Sequence, residues 1–237
     1  MITLHENDSL QESIEDITAS LGKKIKQASE SFSLALAGGN TPKPLYEHLS
    51  QQAWPWKNMQ VTLTDERWVN EDHAQSNAAM IRASLLKNEA AKAYFLPLKN
   101  KEKSAKEGQQ YCETQLVTQM PTLDAIILGM GDDGHYASIF PNMDNLAEVT
   151  HIESSALCAA THPKGLAADV ISERMTLTLP YLVSAKTIYL LCTGEKKKQI
   201  IDSVLAKTGS AFPLQDLADK CEANLTDTQL HIFWSPA

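Results

Sequence analysis

The sequence predicts an α/β fold built on a largely parallel sheet. Short apolar runs of strand length alternate along the chain with stretches of helical length, and several of those runs lead straight into glycine-containing turns. No repeat, low-complexity segment or Pro/Gly/Ser-rich linker interrupts the alternation, so residues 1–237 are expected to form one domain.

"FSLALAGGNTPKPLYEHL" (32–49) reads as a strand, a Gly-Gly turn and a helix with Pro42 near its first turn. "MQVTLTDERWV" (59–69) is a second strand that ends in charged residues. "QSNAAMIRASLL" (75–86) is a helix with Ala79, Ile81, Leu85 and Leu86 available for a buried face. "KSAKEGQQYCETQLVTQM" (103–120) is another helix, polar on one side, and "LDAIILGMG" (123–131) is the third strand. "HPKGLAAD", His162 to Asp169, is the least regular stretch and is expected to form a loop over the site. "KTIYLLCTG" (186–194) is a later strand, "EKKKQIIDSVLA" (195–206) a helix, and "QLHIFW" (229–234) a closing strand.

Composition narrows the function. At 43% hydrophobic residues there is ample material for a core. A formal net charge of −8 argues against nucleic acid or an anionic membrane as partner, so a site for an anionic substrate must gather positive charge locally. No apolar run approaches the length of a membrane span, and "MITLHENDSL" lacks the basic and apolar regions of a secretory signal; a soluble cytoplasmic protein is expected. Cys112, Cys158, Cys192 and Cys221 have no CxxC spacing and read as buried reduced thiols. The seven histidines are scattered, with no HExxH, so no metal site is expected. There is also no GxSxG nucleophile elbow.

In open parallel sheets, ligands bind beyond the carboxyl ends of the strands. Four turns fall there: "AGGNTP", "TDERW", "GMGDDGH" and "TGEKK". In the first, Gly38 and Gly39 let backbone approach a ligand, and the following helix start favours an anion; an ordinary strand-to-helix turn explains the same residues equally well. No Gly-Lys-Ser/Thr follows, so this is not a P-loop. In the second, Arg67 is either a fork for a phosphate or a surface ion pair with Asp65 or Glu66. The third holds a partial G-x-G-x-x-G, but Asp132 and Asp133 would repel a pyrophosphate. An ordinary imidazole titrates near pH ~6.5, so His135 is a candidate base, with Asp133 two residues away to orient it; a turn-capping histidine is the competing reading. In the fourth, Lys196, Lys197 and Lys198 oppose the helix dipole, which is easier to understand if one of them reaches a bound anion; a solvated basic face is the competing reading and must hold for at least one of the three.

"LALAGGNTPKPLYEHL", "TDERWVNEDHAQSN", "LGMGDDGHYASIFP", "RMTLTLP" and "TGEKKKQII" occur in the order seen in 6-phosphogluconolactonases, and the chain resembles that family from about Ser33 to its last strand. The most specific piece is "GMGDDGHYASIFP". The resemblance implies a Rossmann-like sheet flanked by helices. It also implies hydrolysis of a sugar-phosphate lactone, 6-phosphogluconolactone, in the oxidative pentose phosphate pathway, with no metal or organic cofactor. It makes His135 the general base with Asp133 beside it. Gly38, Gly39, Thr41, Asp65, Arg67 and Lys197 become the phosphate and sugar site, joined by Arg174 of "RMTLT". Related glucosamine-6-phosphate deaminases share the GG-x-TP turn, the Asp-Glu pair and the DGH turn. A deaminase would use a carboxylate, Asp65 here, to shuttle a proton between sugar carbons. A catalytically silent sugar-phosphate sensor is a third reading. Two features depart from the family pattern: the stretch between "THPKG" and "RMTLT" is longer, and the end "HIFWSPA" is not Asp-Ala-rich.

Overall fold

The computed structural model describes residues 1–208, 212–223 and 227–237. The N-terminal third runs β1 (Ile2–Glu6), α1 (Leu10–Gln27), β2 (Phe32–Leu36), α2 (Lys43–Leu49), β3 (Met59–Leu63), β4 (Asp65–Arg67) and α3 (Asn77–Ser84). The middle holds β5 (Tyr94–Leu96), α4 (Ala105–Gln119), β6 (Ala125–Leu128), α5 (Leu146–Thr150) and β7 (Cys158–Thr161). The chain closes with β8 (Arg174–Leu177), α6 (Leu179–Leu182), β9 (Thr187–Thr193), α7 (Glu195–Leu205), α8 (Pro213–Glu222) and β10 (Gln229–Ser235).

Seven strands pair in parallel in the order β1-β10-β9-β6-β2-β3-β5. The central strands β2 and β6 are buried along their whole length, as continuous apolar runs covered on both faces should be. Helices supply the cover: α1 packs on β9 and β10, α7 on β9, and α8 on β1 and β10. In α1 the Ser9 side chain caps the N-terminus, and Ile14, Ile17, Leu21 and Ile25 recur at helical spacing on the buried face. Ser104 and Glu107 form a capping box at the start of α4.

Three features depart from the sequence reading. The apolar-run pattern passes over β1, which forms a sheet edge and pairs in parallel with the closing strand β10. "TDERW" is not the tail of one strand: the chain leaves the main sheet at Thr64, and β4 enters a second, antiparallel sheet in the order β4-β8-β7. In α3, Ile81 is buried and Leu85 caps the buried end, but Ala78 rather than Ala79 faces the core and Leu86 is half-buried.

The topology places the site. From β2 the chain moves one way to β3 and β5, then returns to the other side of β2 for β6 and β9. The carboxyl ends of β2 and β6 therefore diverge at a switch point, where open α/β sheets leave a crevice. β9, β6, β2 and β3 are consecutive neighbours, so all four suspected turns open on one stretch of the sheet edge.

Candidate active site

A cleft of about 240 Å³ lies at this edge. Its walls include Gly38, Gly39, Thr41, Asp65, Arg67, His135, Arg174 and Lys197, every residue assigned to the site from the sequence except Asp133. Asp133 stands behind the imidazole.

In the turn after β2, Gly39 has φ +99°, a conformation that favours glycine. Gly38 is required for a different reason: a Cβ there would sit 2.0 Å from Oδ1 of Asn77. The Asn77 amide is fixed in turn, its Nδ2 donating to the Asp65 carbonyl at 2.8 Å.

The β3–β4 junction supplies three charged residues with different duties. Asp65 is almost fully buried, and its Oδ2 accepts from the Ser138 hydroxyl at 2.6 Å and lies 3.8 Å from Nη1 of Arg174. Its Oδ1 accepts from the Thr64 hydroxyl at 3.3 Å. Glu66 is fully buried and turned away, with its oxygens accepting from the backbone N–H groups of Arg67, Asn77 and Ala78 and from the Ser76 hydroxyl. It thereby anchors the N-terminus of α3. Burial pushes its carboxyl up, while the Asn77 and Ala78 N–H groups pull it back. Arg67 donates from Nη1 to the Gln75 carbonyl at 2.8 Å, and its buried Nε has no partner among the described residues. Arg67 and Arg174 are register partners across β4 and β8. Burial is the largest influence on Arg174 and lowers its pKa; Asp65 opposes this and the nearby Arg67 adds to it. Two guanidinium groups crowded in this way favour an anion between them.

After β6, Gly131 N–H donates to the His135 carbonyl and Gly134 N–H to the Gly131 carbonyl, closing a tight loop around Gly134 at φ +74°. Asp133 Oδ1 lies 2.5 Å from Nδ1 of His135 and also accepts the His135 backbone N–H at 3.2 Å. Partial burial pushes the Asp133 carboxyl up, but the charge and hydrogen bonds of His135 outweigh it and leave it below its ordinary value. A Cβ on Gly131 would come within 2.2 Å of the imidazole, so glycine there makes room for the ring.

The three lysines at the start of α7 separate cleanly. Lys196 pairs with Asp132 at 3.1 Å, and Lys198 with Glu6 at 3.0 Å and Asp202 at 2.7 Å. Lys197 lines the cleft and has no ion pair among the described residues.

Sequence reasoning missed several wall residues, among them Asn40, Asn77, Met130 and Leu191, together with Ser138 and Phe140 behind them. The "SN" after "DERW" and the "ASIF" after the histidine were the available signals. The expectation of a loop over the site is corrected. None of residues 162–169 lines the cleft; His162 borders a separate cavity with Thr161 and Glu173, and Lys164 pairs with Asp144. The stretch docks sideways instead, through the Gln75 side chain, which donates to the Asp169 carbonyl and accepts from Ile171 N–H. Among the described residues, no group of three or more His, Cys, Asp or Glu side chains is placed to hold a metal ion. Among the described residues, no helix is long and apolar enough to cross a membrane.

The family model for glucosamine-6-phosphate isomerases/6-phosphogluconolactonase matches residues 5–226. The chain belongs to this family. It is 31% identical over 239 residues to a 6-phosphogluconolactonase of Neisseria meningitidis serogroup A, covering 99% of this chain and 100% of that one. A Mesorhizobium japonicum 6-phosphogluconolactonase is 34% identical over 203 residues, which is 86% of this chain and 81% of the relative. The crystal structure of a 6-phosphogluconolactonase from Shewanella baltica superposes with a TM-score of 0.87 at 28% identity, covering 99% of this chain and 98% of that one. A monomeric glucosamine-6-phosphate deaminase superposes with a TM-score of 0.75 at 17% identity, covering 98% and 97%, so the fold alone does not separate the two activities.

Proposed function

We propose that the chain hydrolyses 6-phospho-D-glucono-1,5-lactone to 6-phosphogluconate, as a step of the oxidative pentose phosphate pathway. The observation that carries the reading is His135: an imidazole on the cleft wall, held at Nδ1 by Asp133, in a cleft that also presents Arg67, Arg174 and Lys197. With Nδ1–H donated to Asp133, Nε2 carries the lone pair and serves as the base. It takes a proton from water as the water oxygen attacks the lactone carbonyl carbon. The carbonyl oxygen becomes an oxyanion, to be met by backbone N–H groups or a cationic side chain of the cleft. The imidazolium then returns the proton to the ring oxygen as the C–O bond breaks, giving the open-chain acid. The cations and the Gly38–Gly39 turn hold the phosphate and fix the reacting carbonyl from a distance.

The carboxylates argue against the proton-shuttle alternative. Asp65 is the acid on the cleft wall, and both of its oxygens are engaged, by Thr64, Ser138 and Arg174. Glu66 is committed to α3 and Asp133 to His135. Asp65 therefore acts as the anchor of Arg174 and not as an acid moving protons between sugar carbons.

The test is His135→Ala. Its kcat is expected to fall by about two orders of magnitude or more, while affinity for 6-phosphogluconate stays within threefold of wild type, about the split due to a lost general base. Near-wild-type turnover by the folded variant removes His135 from the chemistry.

A further inference from the structure

Asp133 holds the imidazole of His135 at one edge, through Nδ1. The face of the ring is held by Phe140, whose centroid lies 3.8 Å away with 21° between the planes. Phe140 is almost fully buried. The chain reaches this position by a costly route. Ile139 N–H donates to the Tyr136 carbonyl at 3.0 Å, and Ala137, in the middle of the turn, has φ +48°, where residues with a Cβ are strained. Fully buried Tyr136 and Ile139 pin the two ends of the turn. Its effect is to reverse the chain within five residues, so that Phe140 returns over His135.

We infer that Phe140 is a positioning residue for the general base, a role that rests on the reading of His135 above. Its ring holds the imidazole with Nε2 directed to the attacking water, and its π face favours the positive charge that develops on the ring as the proton is taken. Arg174 also lies over the Phe140 ring, its Cζ 5.4 Å from the centroid. Its position does not depend on that contact, because Nε donates to the Ile171 carbonyl at 3.2 Å, Nη1 lies 3.4 Å from the Ser138 hydroxyl, and Asp65 faces the guanidinium. Removing the aromatic face therefore affects the base and spares the anchor.

The experiment compares wild type, Phe140→Leu, Phe140→Tyr and His135→Ala in lactone hydrolysis, with 6-phosphogluconate affinity measured by calorimetry and the His135 ring followed by NMR. Phe140→Leu is expected to lose about 3- to 30-fold in kcat, the range of a cation–π contact, with KM and product affinity within twofold of wild type. Phe140→Tyr is expected to recover most of that loss. The His135 ring protons should move downfield in Phe140→Leu as the ring current is removed. Unchanged kcat in Phe140→Leu overturns the inference, as does a loss confined to KM or an equal loss in Phe140→Tyr with product affinity intact. Failure of wild type to hydrolyse the lactone, or full activity of His135→Ala, overturns the reading of the base itself and is distinct from these results.

Discussion

Lys197 is set apart from its two neighbours by the partners they have taken. Lys196 and Lys198 are each bound to carboxylates, and only Lys197 is left to the cleft. Arg67 shows the same readiness in its buried Nε, which has no partner among the described residues. A charge-assisted hydrogen bond is worth roughly 1.5–3 kcal/mol, so Arg67→Ala and Lys197→Ala should each weaken 6-phosphogluconate binding by about one to two decades. Lys196→Ala should leave it within threefold; calorimetric titration of the three variants checks the contrast. Asp133 makes a prediction in pH. Its native carboxyl lies below its ordinary value, so its contribution to stability is complete above the unfolded-state pKa of about 3.9 and is lost as pH falls through the lower native value. The advantage of wild type over Asp133→Asn in denaturant midpoint should thus be present at pH 5 and shrink steadily below about pH 3.9. A difference that grows on acidification would contradict the pairing. The residue types of these groups were legible in the sequence because each sits beside a glycine or at a strand end. Their partners were not: which lysine is free, or that Asp65 holds Arg174, depends on residues far apart along the chain, as Lys198 is from Glu6 and Arg174 from Asp65.

At the level of elements, the short β4 and the start of α3 form a joint that one carboxylate holds together. Glu66 accepts four hydrogen bonds there, three of them from backbone N–H groups. Glu66→Gln would turn an amide donor toward those donors and leave at least one unpaired, at a cost on the order of 1–3 kcal/mol. Urea denaturation should show that loss, and 6-phosphogluconate affinity should fall with it because Arg67 and Asn77 flank the joint. Wild-type stability in this variant would mean that the buried carboxylate does not organise the turn. The long apolar strands were legible because burial on both faces imposes continuous apolar runs, as in "LDAIIL" and "IYLLC". The three-residue β4 and four-residue β7 and β8 were not. Segments so short carry no period, and their pairing is set by partners far along the chain. β1 was missed because its strand is half-exposed and mixes polar with apolar residues.

Across the whole molecule, a chain of net charge −8 concentrates Arg67, Arg174 and Lys197 on one cleft at the point where strand order reverses. That local reversal of sign favours a small phosphorylated substrate over a polyanionic surface. The architecture was predictable because alternation of strands and helices leaves few topologies open, and the switch point then fixes the edge where the turns must meet. The reaction is a finer matter, since a monomeric glucosamine-6-phosphate deaminase shares the fold. The decisive measurement follows loss of 6-phosphogluconolactone and release of ammonia from glucosamine 6-phosphate in parallel, at one enzyme concentration and against the spontaneous rate of lactone opening. The account predicts lactone loss well above the spontaneous rate and no ammonia. Sustained ammonia release, with lactone loss no faster than without enzyme, would contradict it.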